Sequence, residues 1–109
     1  MLYDLDDLKY SAVCEGSTIK LRCDAGTNIV IVKADFGRDK YSSVCGEYYY
    51  DGNCTSRIET EEILRNLCGN KNTCDVVAST ATFQDNCSGE QKILKAWYQC
   101  VGSSKRFKL

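Results

Sequence analysis

Histidine and proline are both absent from this chain of 109 residues. Without histidine, the usual general base of Ser/His or Cys/His catalysis is missing, and catalysis would have to rest on carboxylates or lysine. No carboxylate pair stands out, which sets a two-carboxylate hydrolase aside and leaves a non-enzymatic protein. Without proline, and with no internal repeat or low-complexity tract, nothing marks a linker, so the chain reads as one domain. No apolar run is long enough to span a bilayer and no signal peptide opens the chain, which suits a mature or excised segment without direct membrane insertion. An excess of charge is lacking too. Fourteen Lys and Arg stand against 15 Asp and Glu, a formal net charge of −1, which offers no electrostatic footprint for nucleic acid or anionic lipid.

Cysteine, by contrast, is abundant. Cys14, Cys23, Cys45, Cys54, Cys68, Cys74, Cys87 and Cys100 are spread over most of the chain. An even number at this density predicts four disulfides and an extracellular setting, with the pairing left open by the spacing alone. A zinc module is the competing reading, but short paired Cys-x-x-Cys knuckles are missing along with histidine, so no metal and no other cofactor is expected.

Along the chain, residues 1 to 9 and 102 to 109 read as flanks around a domain at 10 to 101. Asp4, Asp6 and Asp7 alternate with Leu2, Leu5 and Leu8 in a stretch too short to decide between a docking strand and a loose arm. Thr18 to Cys23 alternates, with Ile19, Leu21 and Cys23 inward, and Asn28 to Ala34 is rich in β-branched residues. The turn Asp24-Ala25-Gly26-Thr27 between them predicts a hairpin. Residues 35 to 57 read as a long loop ordered by Cys45 and Cys54, with Tyr48, Tyr49 and Tyr50 as packing or a stacking surface. Ser56 and Glu59 have capping-box spacing before a helix whose apolar face would be Ile58, Ile63, Leu64 and Leu67 and which stops at Gly69. A turn at 69 to 73, a short strand at 74 to 78 and a helical turn within Ser79 to Phe83 follow. From Lys92 on, Leu94, Ala96, Tyr98 and Cys100 alternate with Ile93, Lys95, Trp97 and Gln99, as in a half-buried strand. The fold class is therefore α+β, a compact disulfide-rich module of about five short antiparallel strands and one or two helices.

Asp85 and Lys92 flank a polar turn before that last strand, so an acceptor of hydroxyl protons and a donor to hydroxyl oxygens can converge there on a small polyhydroxylated ligand. Taken singly, Asp85 would be a turn former, Lys92 a solvated strand end and Glu15 a loop charge. Their value is joint.

Three ordered segments carry a resemblance: Ala12-Val13-Cys14-Glu15-Gly16-Ser17-Thr18-Ile19-Lys20-Leu21-Arg22-Cys23, then Ala34-Asp35-Phe36-Gly37-Arg38, then Asp85-Asn86-Cys87-Ser88-Gly89-Glu90-Gln91-Lys92-Ile93-Leu94. Together they resemble the SUEL-type lectin domain, the rhamnose- or galactose-binding module of egg lectins that also occurs once in latrophilin-like adhesion receptors. The resemblance covers roughly residues 10 to 101. It implies the disulfides Cys14–Cys45, Cys23–Cys100, Cys54–Cys87 and Cys68–Cys74, and a sugar pocket at Glu15, Phe36, Asp85, Gly89 and Lys92. In that role each carboxylate would accept from vicinal hydroxyls, Lys92 would donate to a ring or hydroxyl oxygen, Gly89 would let backbone approach the sugar, and the Phe36 face would cover its apolar side. Departures from the family pattern are Phe36 for Tyr, Thr80 for Asn, Asn86 for Pro and Ile93 for Tyr.

The expected function is a lectin module for terminal galactose- or rhamnose-like sugars on extracellular glycans, secreted or in a receptor ectodomain. The alternative is a protein-interaction module of an adhesion or guidance receptor, with a weakened sugar site and a contact surface that includes Tyr48 to Tyr50 or Trp97. Asn53-Cys54-Thr55 and Asn86-Cys87-Ser88 match the N-glycosylation pattern. A glycan on Asn86 would crowd the pocket beside Asp85.

Overall fold

The structure is a computed structural model that describes residues 7–38, 45, 54–84 and 89–102. Its elements run β1 (Lys9–Cys14), β2 (Thr18–Arg22), β3 (Thr27–Gly37), α1 (Arg57–Cys68), β4 (Thr73–Val77), α2 (Thr80–Phe83) and β5 (Ile93–Gly102). This is the expected α+β class. The strands form two antiparallel sheets, one ordered β1-β5-β3 and the other β2-β4.

β2 and β3 are joined by a tight turn, in which Thr27 N–H donates to the Asp24 carbonyl at 3.0 Å, yet they do not form the expected hairpin. β2 pairs with β4 and β3 with β5. The apolar alternation explains the difference. Ile19 and Leu21 of β2 and Ile29 and Ile31 of β3 are all buried in one cluster, so the two strands supply opposite layers of the core rather than neighbouring places in one layer. The layers are tied at one end by Cys23–Cys100. Beside that bridge the Tyr98 hydroxyl accepts from Arg22 N–H at 3.2 Å and donates to the Arg22 carbonyl at 3.4 Å.

β5 is the central strand, and this changes its burial from the half-buried pattern expected. Leu94, Ala96 and Tyr98 line the core, but Ile93 and Gln99 on the opposite face are buried as well. β3 alternates in the same way until an irregularity between Ile31 and Lys33 shifts its register. Past that bulge the inward residues become Ala34 and Phe36, opposite Ala96 and Leu94.

Helix α1 packs along the free side of β3. Its buried face is Thr60, Leu64 and Cys68, spaced four apart. This corrects the expected apolar face, because Ile58 at the helix start is 77% exposed and Leu67 is also exposed. The reason is that the helix lies against a strand edge with backbone groups to satisfy, so polar side chains face inward. Arg65 donates to the Ile31 carbonyl at 3.2 Å, Glu61 accepts from Ala34 N–H at 3.4 Å, and Ser56 Oγ donates to the Phe36 carbonyl at 2.7 Å. Ser56 is the N-cap residue but makes no side-chain capping bond. Its hydroxyl is already committed to β3 and stands 3.0 Å from the Thr60 hydroxyl, so the expected capping box does not form. The helix does stop at Gly69, as the pattern required. The undecided Ser79–Phe83 segment is the short helix α2, whose Ser79 side chain accepts from Thr82 N–H at 3.3 Å.

Three of the expected disulfides lie among the described residues: Cys14–Cys45, Cys23–Cys100 and Cys68–Cys74. Cys54 is disulfide-bonded too. Cys87, its expected partner, lies outside the described residues, as do Tyr48 to Tyr50, Asn53 and Asn86.

Candidate functional site

The site is built where β1 ends and β5 begins. Antiparallel pairing sets Cys14 opposite Ile93, and continuing the ladder by one residue brings Glu15 against Lys92. Glu15 N–H donates to the Lys92 carbonyl at 2.8 Å. The return bond is made by a side chain: Lys92 N–H donates to Glu15 Oε1 at 3.0 Å. Past Glu15 the chain turns through Gly16, at φ +96°, and Gly16 N–H donates to the Ala78 carbonyl at 2.7 Å. Backbone bonds on both sides thus hold the Glu15 side chain in place.

Electrostatics complete the arrangement. Lys92 Nζ lies 3.6 Å from Glu15 Oε1 and donates to the Glu90 carbonyl at 2.7 Å. The Lys92 side chain is only 3% exposed, whereas that of Glu15 is 29% exposed. A buried ammonium demands a counter-charge and acceptors, which Glu15 and Glu90 supply. One carboxylate oxygen is therefore held by a hydrogen bond from Lys92 N–H and by the ion pair with Lys92 Nζ. No bond from a described residue reaches the other, Oε2. A fixed carboxylate with one oxygen open is an acceptor for hydroxyl protons.

The other expected site residues are distributed unevenly. Gly89 is exposed and has φ +84°, a left-handed conformation that glycine adopts without strain, three residues before Lys92. Asp85 lies outside the described residues. Phe36 belongs to the core: it is 1% exposed, with its ring centroid 5.3 Å from that of Phe83. It therefore presents no open aromatic face, and the expectation that it covers a sugar gives way to a packing role. The physical reason is the bulge in β3, which turns Phe36 inward opposite Leu94.

Sequence reasoning missed an aromatic row on the outer face of the three-stranded sheet. Tyr10, Trp97 and Lys33 are direct cross-strand partners. The Tyr10 and Trp97 centroids are 4.8 Å apart, and Lys33 Nζ lies 4.9 Å from the Trp97 ring. Alternation along β5 put Trp97 on that face, but only the pairing could say what stands beside it.

The sequence model of the D-galactoside/L-rhamnose binding SUEL lectin domain matches residues 21–100. The chain is 36% identical over 97 residues to the D-galactoside-specific lectin of Heliocidaris crassispina, covering 85% of this chain and 90% of that lectin. It is 35% identical over 95 residues to the L-rhamnose-binding lectin ELEL-1 of Echinometra lucunter, covering 85% of this chain and 91% of that protein. To Latrophilin Cirl of Drosophila ananassae it is 33% identical over 112 residues, which is 94% of this chain but only 6% of the latrophilin.

Proposed function

The chain belongs to the D-galactoside/L-rhamnose binding SUEL lectin family, and on that premise we propose that it is a non-enzymatic module that binds galactose- or rhamnose-like sugars on extracellular glycans. The observation that carries this reading is the Glu15 carboxylate, held by Lys92 at Oε1 and receiving no bond from a described residue at Oε2. In the proposed site Glu15 and Asp85 accept hydroxyl protons, Gly89 lets the backbone approach the ring, and Lys92 is mainly a positioning residue that acts through Glu15. That last role departs from direct donation to the sugar, because an ammonium 3% exposed has little reach to a ligand. A few hydrogen bonds at an open surface give single-site affinity of about millimolar to tens of micromolar. The module works outside the cell, and its disulfides support this setting.

The test is an NMR titration of the labelled chain with L-rhamnose and D-galactose. Shifts at Glu15 and at Gly89 to Lys92, reduced about tenfold in affinity by Glu15→Gln or Asp85→Ala, are expected. Silence at high concentrations of both sugars overturns the reading.

A second reading, a protein-interaction module of an adhesion or guidance receptor, is favoured by the likeness to Latrophilin Cirl and by the exposed Tyr10 beside Trp97 and Lys33. It requires Asp85→Ala and Glu15→Gln to leave protein binding intact while Tyr10→Ala weakens it.

A further inference from the structure

The three-stranded sheet has two outer edges, and the protein treats them differently. The free side of β3 is closed along its length: Ile29 exchanges bonds with Lys71 and Asn70 at 2.8 and 3.1 Å, and Arg65, Glu61 and Ser56 reach Ile31, Ala34 and Phe36. These bonds also fix the phase of the whole sheet. Ile29, Ala34 and Phe36 turn their backbone groups away from β5, so Cys100, Ala96 and Leu94 opposite them turn theirs toward β1. Ser11 and Val13, the β1 partners of Ala96 and Leu94, therefore bond β5. Tyr10 and Ala12 point their N–H and C=O groups out of the sheet. At Cys14 the outward carbonyl is taken by Ser17 N–H at 2.9 Å. At Tyr10 and Ala12 no bond from a described residue arrives.

An open strand edge is a template for another strand. We infer that β1 pairs with β1 of a second copy of this chain, antiparallel, about a two-fold axis through Ser11. The register follows from which residues face outward: Tyr10 stands opposite Ala12 of the second copy and Ala12 opposite its Tyr10, so that four N–H···O=C bonds form and two three-stranded sheets become one of six. Side chains fit this register. The Tyr10 ring, 52% exposed and backed by Trp97, lies beside a methyl group rather than a second bulky side chain. Lys9 faces Val13, so no like charges stand opposite each other, and Ser11 meets Ser11 at the axis. A strand edge alone buries less than the roughly 1,000 Å² of a stable interface, so the dimer is weak and forms at about millimolar protein or at crowded surfaces. Each Glu15 lies four residues from the axis, which sets the two about 25 Å apart along the strands. If the sugar reading holds, the dimer is bivalent.

Sedimentation of the sugar-free chain from micromolar to millimolar concentration tests the inference independently of sugar binding. The weight-average mass should climb toward that of a dimer, and exchange of the Tyr10 and Ala12 amides should slow in step. Ser11→Asp and Ser11→Lys, each placing like charges at the axis, should each weaken association about tenfold, and an equimolar mixture of the two should restore it. A wild-type chain that stays monomeric at millimolar concentration overturns the inference. So does a dimer whose protection maps away from Tyr10 and Ala12, or one that Ser11→Asp leaves unchanged. Should the Ser11 variants fail to fold, the wild-type exchange pattern decides.

Discussion

Glu15 and Lys92 face each other because Cys14 and Ile93 do. The two charged residues are the next step of the β1–β5 ladder beyond its last strand pair. There the ladder replaces a backbone acceptor with the Glu15 carboxylate, 3.0 Å from Lys92 N and 3.6 Å from its Nζ. One acidic side chain thereby closes the sheet, pairs with a buried ammonium and keeps an oxygen that no described residue bonds.

Glu15→Gln keeps the shape and one acceptor but removes a charge that pairs with Lys92. Lys92 Nζ retains the Glu90 carbonyl and Glu15 is partly exposed, so the expected loss is about 1–2 kcal/mol, below that of a fully buried pair. Urea unfolding of the two proteins measures it. No change in midpoint would mean that the pair contributes nothing to the fold.

Asn72 joins parts of the chain that its neighbours in sequence do not suggest. Its side-chain amide donates to the carbonyls of Cys23, Asp24 and Thr27 at 2.9, 2.8 and 3.0 Å, filling the turn between β2 and β3. Asn72→Ala should cost about 1–2 kcal/mol, a fall of roughly 5–10 °C in melting temperature. Asn72→Asp should cost more, because it turns an acceptor toward three acceptors.

A methyl group at Gly37 would collide with the Cys54 carbonyl oxygen and stand 3.0 Å from its carbon and 3.1 Å from Thr55 Cα. Arg38 and Cys54 exchange backbone bonds at 3.0 and 3.1 Å beside it, so the crowding is with backbone that cannot turn aside. Gly37→Ala is expected to destabilise by about 1–3 kcal/mol, checked by calorimetry. An unchanged melting temperature would show that the Cys54 segment yields freely.

On the outer face of the two-stranded sheet, Arg22 Nη1 lies 2.6 Å from Asp75 Oδ1. The hydrogen bond from Arg22 holds the Asp75 carboxyl below its ordinary value of 3.8. A folded value below the unfolded one contributes stability above the ordinary value and loses it as pH falls below it. Both side chains are about half exposed, so the contribution is small. A carboxyl NMR titration should find the Asp75 midpoint below 3.8, returning toward it in Arg22→Ala. A wild-type midpoint at or above the ordinary value would contradict the pairing.

Cys23–Cys100 closes a separation of 77 residues and Cys68–Cys74 one of 6. In the chain-entropy account, removing the first with paired alanines costs about 4.5 kcal/mol and removing the second about 2. Equal losses in chemical unfolding would mean that loop closure is not what the long bridge contributes.

The sequence by itself determined the class of the protein: the cysteine count, the alternation around Leu94 to Cys100 and the helix ending at Gly69 are local signals, and the ordered motifs led to the family. Ile58 and Leu67 misled because hydrophobicity does not reveal that α1 lies on a strand edge, where Ser56, Glu61 and Arg65 are needed inward. The β2–β3 hairpin misled because a turn specifies a change of direction and not the strand that will be the neighbour. Only the tertiary structure decided that Phe36 is core, that Lys92 is buried behind Glu15, and that Tyr10 and Ala12 stand at an open edge. Each depends on which strand pairs with which and where β3 shifts register. Those are choices made between residues tens of positions apart, where burying apolar area in two facing layers outweighs local preference.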